Sequence, residues 1–166
     1  VLGEDRLLTI ASSAYAEYID FRSCIDYLDF VNVMTYDMAN APLHHAPLYG
    51  SENTEGTCEG AVKAHIDAGV PASKLVLGVP FYGRGGTVMP RFVDYKEIKD
   101  YPEMVEMWDD EAKAPYLADG EGALVLGFDN PKSLKIKCDY IKKNGLLGAM
   151  YWDYNGDNES GDLQNA

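Results

Sequence analysis

The chain has 166 residues, 46% hydrophobic and 25% charged, with 12 Tyr, 5 Phe and 2 Trp, which suits one packed domain and excludes a disordered segment. Fourteen basic against 27 acidic residues leave a formal charge of −13, which excludes a nucleic-acid binder that tracks phosphates and opposes binding to anionic membranes. The length is also short of the ~200–250 residues of a closed eight-stranded α/β barrel.

Leu7–Ala11 is a short, branched apolar run and reads as a buried strand. Ala14–Tyr27 reads as a short helix and Phe30–Thr35 as a second strand. A loop containing Pro and His follows, from Tyr36 to Glu55. Cys58–Ala68 reads as a helix that Gly69 and Pro71 stop. Leu75–Val79 is a third strand, apolar on both faces, as in a parallel sheet covered on both sides.

About fifty residues then separate Val79 from Asn130, with aromatic and acidic stretches at Arg91–Tyr101 and Tyr116–Phe128. A stretch of that length reads as an inserted small α+β lobe. The helix after it is the best specified. Asn130 suits the N-cap, Pro131 the first helical position and Gly145 the C′ position. Leu134, Cys138 and Ile141 form an apolar stripe, and Lys142 and Lys143 complement the helix dipole. Leu147–Trp152 is the fourth strand. The expected division is residues 1–84 as βα units, 85–129 as the insertion and 130–166 as the last helix, the last strand and the C-terminal segment.

Cys24, Cys58 and Cys138 lack metal-like spacing and read as buried small hydrophobes. No apolar run reaches the ~18 residues of a membrane span. The start, Val1-Leu2-Gly3-Glu4-Asp5, is neither a signal peptide nor an initiator Met, so a mature product or a piece of a longer protein is expected.

In parallel α/β folds chemistry gathers at the carboxyl ends of strands. Here those ends carry Met34-Thr35-Tyr36-Asp37, Pro80-Phe81-Tyr82-Gly83-Arg84 and Met150-Tyr151-Trp152-Asp153. Aromatic faces stack on sugar rings or other flat apolar faces, and Arg and Asp bind hydroxyls. The same aromatic residues equally suit closing the end of a core.

The segments Tyr27–Asp37, Leu77–Arg84 and Gly148–Trp152 together resemble strands six, seven and eight of the family 18 glycoside hydrolases, the chitinase-like proteins. Leu7–Ala14 is similar to that family's strand five. Trp108-Asp109 with Ala114-Pro115-Tyr116, and Phe128–Leu134, are similar to its insertion domain and last helix. The resemblance implies the C-terminal half, strands five to eight, of a TIM (β/α)8 barrel, with a small α+β insertion between strands seven and eight. It implies cleavage of β-1,4-linked N-acetylglucosamine polymers by substrate-assisted retaining hydrolysis, in which the sugar's acetamido oxygen attacks the anomeric carbon. No cofactor or metal is implied.

By the same resemblance Tyr36 would hydrogen-bond the acetamido oxygen and Asp37 would bind hydroxyls near the cleavage point. Met34 would line the pocket, Trp152 would form the floor under the sugar, and Tyr82 and Arg84 would flank it. The implied partners are chitin or its oligosaccharides, and either the N-terminal half of the barrel or a second copy of the chain. The implied location is secreted or cell-envelope.

The departures are as informative. The family's Asp-x-x-Asp-x-Asp-x-Glu signature is absent. Asp26-Tyr27-Leu28-Asp29 begins like it, but Val31 and Val33 occupy the positions of the third Asp and the Glu. The loop Met38–Tyr49 also lacks the Trp that many relatives carry there. An inactive chain is therefore expected, with a non-catalytic lectin-like relative or a self-associating half-barrel as alternatives.

Other constellations read as structural. Asp153 suits an N-cap better than a carboxylate pair with Asp37. His44-His45 reads as part of a solvated loop rather than a metal site. Asp153–Gln164 imitates a calcium loop but has Asn158 in place of its Gly. The acidic run Glu103–Glu111 reads as a solvated face.

Overall fold

The computed structural model describes Gly3 and residues 5–166. A parallel sheet is built from β1 (Thr9–Ser13), β2 (Phe30–Met34), β3 (Leu75–Pro80) and β9 (Gly148–Trp152), in the spatial order β1-β2-β3-β9. Its helices are α1 (Phe21–Cys24), α2 (Cys58–Asp67) and α3 (Pro131–Lys143). A second, antiparallel sheet contains β4 (Tyr82–Gly85), β5 (Val93–Asp94), β6 (Val105–Asp109), β7 (Ala114–Ala118) and β8 (Leu124–Gly127), in the order β5-β4-β8-β7-β6. The architecture is thus a mixed α/β one, and the helical part of the segment around the second sheet is a six-residue 3₁₀ helix, Tyr95–Asp100.

All six residues of β3 are buried, which accounts for its unbroken apolar run. Val31, Val33, Leu75 and Leu77 of β2 and β3 pack with Phe21, Leu48, Val62 and Ile141 in the main core. Each such side chain contributes about 1.5–3 kcal/mol by leaving water. Met89, Val93, Leu117, Val125, Leu126 and Phe128 form a smaller core beneath the second sheet. Phe81 joins the two sheets. Its N–H donates to Trp152 O (2.7 Å), its carbonyl accepts from Tyr95 N (3.0 Å), and its ring stacks on Tyr151 at 4.5 Å.

Two expected elements are displaced. The first strand begins at Thr9, and Leu7 and Leu8 are exposed, because Leu8 is tied off by Asp29: Leu8 N donates to the Asp29 carboxylate (2.7 Å) and Asp29 N to Leu8 O (2.9 Å). The expected helix over Ala14–Tyr27 is reduced to α1 and a 3₁₀ turn, Ile25–Tyr27. Ala16 has a φ of +56°, which breaks the helical path between the buried Ala14 and the core stripe Phe21, Ile25 and Leu28. Tyr15, Tyr18 and Tyr27 face solvent.

The last helix forms as its caps require. Asn130 Oδ1 accepts from Ser133 N, Ser133 Oγ accepts from Asn130 N (both 3.0 Å), and Gly145 takes a φ of +64°. Leu134 and Ile141 are buried, while Cys138 and Cys24 are half-buried; only Cys58 is the fully buried thiol expected of all three. The strand β6 is exposed along most of its length, as the acidic run requires. Among the described residues no helix is long and apolar enough to cross a membrane.

Candidate functional site

The carboxyl end of β2 leads straight into the site. After Met34, Tyr36 turns down into a small cluster with Ala46 and Tyr82, against which Met34 and Met150 pack. Space for the Tyr36 ring comes from β3. A methyl group at Gly78 would lie 2.9 Å from Tyr36 Cε1, 2.9 Å from Met150 Cε and 2.5 Å from Val33 O. Glycine is thus the only residue that lets the ring lie across the sheet at that point.

Asp37 follows in the left-handed region, with a φ of +59°. Its carboxylate meets a fork: Arg84 Nε donates to Oδ1 (2.6 Å) and Arg84 Nη2 to Oδ2 (2.5 Å). The Tyr82 hydroxyl also donates to Oδ1 (2.7 Å). Tyr82 and Arg84 lie two residues apart on β4, so both side chains leave the same face of the strand. The Tyr36 and Tyr82 rings meet edge to face at 6.2 Å. Phe92, half-exposed, stacks on Tyr82 at 4.5 Å, and the Arg84 guanidinium lies over both rings.

The electrostatics fix each protonation state. Burial alone would raise the Asp37 pKa, but the hydrogen bonds from Arg84 and Tyr82 and the guanidinium charge outweigh it and hold the carboxyl well below the usual carboxylate range. Burial, then the Asp37 charge, pushes the Tyr36 phenol up to about 12. Burial, then the hydrogen bond to Asp37, pushes Tyr82 up as well. At neutral pH the site therefore presents an ionised Asp37 and two neutral phenols that donate. Both Asp37 oxygens are already held, which suits binding and orientation rather than proton abstraction. Among the described residues the Tyr36 hydroxyl has only the weak acceptor Met150 Sδ, at 4.0 Å, which leaves it available to an incoming acceptor.

Of the residues singled out from sequence, Tyr36, Asp37, Tyr82 and Arg84 form one bonded and packed cluster with Met34 against it. Trp152 stands outside those hydrogen bonds, at the end of β9 in register with Pro80, with 55% of its surface exposed. The Trp152–Asp153 peptide bond is cis. Asp153 caps a turn by accepting from Asn155 N (2.9 Å), as expected. Asp157 accepts from Asn158 N, Leu163 N and Gln164 N, so this carboxylate knits a loop together. Among the described residues there is no group of three or more His, Cys, Asp and Glu placed to hold a metal ion.

The expectation for His44 and His45 is overturned. Both are only 1% exposed rather than solvated. His44 Nε2 lies 3.3 Å from the Asp109 carboxylate, and the His44 ring packs edge-on to Tyr116. His45 contacts Asp37 directly, with Nδ1 3.3 Å from its backbone N. Burial lowers the pKa of both rings and keeps them neutral. Lys137 is fully buried in an ion pair with Asp129, and it too was invisible in the helix pattern. A hint lay in Ala41-Pro42 and Ala46-Pro47, which bracket the two histidines with rigid turns.

Comparison with known proteins adds to this geometry. The family model described as glycosyl hydrolases family 18 matches residues 2–157. The chain belongs to glycosyl hydrolase family 18. Among curated family members, Chitinase A1 of Niallia circulans is 35% identical over 197 residues, covering 93% of this chain and 28% of its own length. Chitinase B of Serratia marcescens is 27% identical, covering 94% of this chain and 47% of its own. The cell-surface chitinase ChiW of a Paenibacillus strain superposes with a TM-score of 0.87 at 32% identity, over 96% of this chain and 22% of its own. A Class V chitinase mutant from Nicotiana tobaccum, solved in complex with NAG4, superposes with a TM-score of 0.83 at 27% identity, over 96% and 55%. The chain spans less than half the length of the curated relatives it matches.

Proposed function

We propose that the chain is the C-terminal part of a chitinase-like family 18 barrel, strands five to eight, and supplies the sugar-binding wall of a site for β-1,4-linked N-acetylglucosamine polymers. The observation that carries this reading is the Tyr36–Asp37–Tyr82–Arg84 cluster at the carboxyl ends of parallel strands, with Trp152 exposed on the neighbouring strand end. The share of each relative that the chain spans supports the half-barrel. So do the outer edges of β1 and β9, which pair with no strand among the described residues.

In this reading the neutral Tyr36 hydroxyl donates to the acetamido oxygen of the bound sugar and holds it in line with the anomeric carbon. Asp37 accepts from sugar hydroxyls while Arg84 and Tyr82 keep it from turning. Trp152 offers its apolar face beneath the ring. The leaving oxygen needs a proton, and the acidic signature that would carry it is absent from the 166 residues. The chain by itself binds and does not turn over. Its setting is secreted or cell-envelope, where such polymers are met.

Calorimetric titration with N-acetylglucosamine tetrasaccharide tests the wall. Binding is expected, with Tyr36→Phe and Trp152→Ala each weakening it about tenfold, the worth of one hydrogen bond or one stacked ring. No binding by the unsubstituted chain would sink the proposal, and release of product from a chitobioside by the chain alone would sink its catalytic silence. The exposed Leu7, Leu8, Leu147 and Tyr151 beside the open edges favour a second feature: association with the remaining barrel strands or with a second copy. Light scattering that shows only monomer at high concentration argues against the second copy.

A further inference from the structure

We infer that His45, braced by the buried Lys137–Asp129 pair, is a positioning residue that holds the left-handed backbone of Asp37 and so aligns its carboxylate with Arg84 and Tyr82. The inference rests on the function proposed above only for its sugar-binding readout.

A non-glycine residue in the left-handed region stays there when its surroundings fix it. At Asp37 two successive backbone N–H groups end on one residue. Asp37 N donates to His45 Nδ1 (3.3 Å) and Met38 N donates to His45 O (3.0 Å). The ring cannot swing away, because it is buried and tilted against Tyr82 at 5.4 Å. The backbone behind it is anchored as well. Lys137 Nζ donates to the carbonyl of the next residue, Ala46 (2.7 Å), and to Asp129, which also accepts from Ser133 Oγ (2.6 Å). Ser133, Lys137 and Asp129 are all buried. The path from the last helix to the site is therefore Asp129, Lys137, the Ala46 carbonyl, His45 and Asp37.

The charged and titratable groups around the ring are Asp37, Asp129, Lys137, His44 and the Tyr82 phenol. Nδ1 accepts the Asp37 N–H at 3.3 Å and lies 3.6 Å from Asp37 Oδ1, beyond hydrogen-bond reach, so the neutral ring carries its proton on Nε2, which has no hydrogen-bond partner among the described residues. This distinguishes His45 from the purely structural His65, which uses both nitrogens, on Ala61 O and Ser12 Oγ (both 2.8 Å). Leucine would fill the His45 volume and remove the unpaired Nε2. What leucine cannot supply is the acceptor for Asp37 N.

Nitrogen-15 NMR of the whole chain tests this. In the unsubstituted chain the His45 ring is expected as the neutral Nε2–H tautomer at pH 7, with the Asp37 amide strongly protected from exchange. His45→Leu is expected to remove that protection and to raise the Asp37 carboxyl titration toward the ordinary carboxylate value. It is also expected to weaken the tetrasaccharide about tenfold, and His45→Gln, which keeps an acceptor, is expected to recover most of that loss. A proton on Nδ1 of the unsubstituted chain overturns the inference, as does His45→Leu with unchanged Asp37 titration and exchange. If the leucine variant does not fold, the tautomer and amide exchange of the unsubstituted chain decide. If the unsubstituted chain binds no sugar, the proposed function fails while the tautomer, exchange and titration readouts still decide the role of His45.

Discussion

Gly78→Ala tests whether the site depends on close approach across the sheet. The new methyl would meet Val33 O at 2.5 Å, which is strand backbone, and both Tyr36 Cε1 and Met150 Cε at 2.9 Å. Met150 can move its terminal methyl, but Val33 O belongs to the strand that pairs with β3 and cannot retreat without straining that ladder. The cost belongs at the upper end of the overpacking range, about 2–3 kcal/mol. For a domain of this size that lowers the melting temperature by about 5–10 °C. Gly148→Ala is the matched control, since Gly148 lies on the same sheet and nothing stands within 4 Å of the methyl it would gain. Urea unfolding followed by the fluorescence of Trp108 and Trp152 gives both stabilities, and the tetrasaccharide titration reports the position of the Tyr36 ring. If Gly78→Ala falls within ~0.5 kcal/mol of Gly148→Ala, the ordinary scatter of a harmless substitution, the close approach of Tyr36 to β3 is not what shapes the site.

Three further outcomes follow from buried charges. Lys137→Met strands the Asp129 carboxylate in the core and should cost about 3–5 kcal/mol in urea unfolding, while adding Asp129→Leu should restore much of it. The folded Asp37 pKa is depressed, so its contribution is fully present above the unfolded value of ~3.9 and is lost as pH falls through the lower folded value. The stability difference between the unsubstituted chain and Asp37→Asn should therefore be flat above about pH 5 and shrink below pH 4, and a difference that grows in acid would contradict the Arg84–Asp37 geometry. The pKa values of His44, His45 and His65 are all lowered by burial, so the unfolded chain takes up protons near ~6.5 that the folded chain refuses. Stability should fall as pH drops from about 7 to 5, and a flat profile over that window would mean that the rings are not buried as described.

Much of the scaffold could be read from local chemistry. The strand Leu75–Pro80 announces itself because burial on both faces demands apolar residues throughout. The last helix does so because Asn130, Pro131 and Gly145 each meet a local backbone need that does not depend on the rest of the fold. The first helix is different. Ala14–Tyr27 has acceptable helical composition, and what shortens it is the turn at Ala16, which separates the buried Ala14 from the core residues Phe21, Ile25 and Leu28. That choice is tertiary, and intrinsic preferences of a few tenths of a kcal/mol per residue do not oppose it.

The site divides along the same line. Tyr36, Asp37, Tyr82 and Arg84 were legible because they follow apolar strands, where topology alone gathers side chains, and because those segments resemble the family's; the fork between Arg84 and Asp37, 47 residues apart, was not. His45 and Lys137 were not, because their polar character points to the surface, and what reverses it is a partner far away in the chain. Lys137 enters the core for the Ala46 carbonyl, 91 residues earlier, and for Asp129. A buried charge costs least when its hydrogen-bonding groups are all placed, and this pair ties the Ala46 loop to the last helix. The side chains proposed to face a sugar are thus marked by their place in the sequence, and the ones that hold them are set by contacts far along the chain. Substitutions at the second group should alter sugar affinity without touching the sugar.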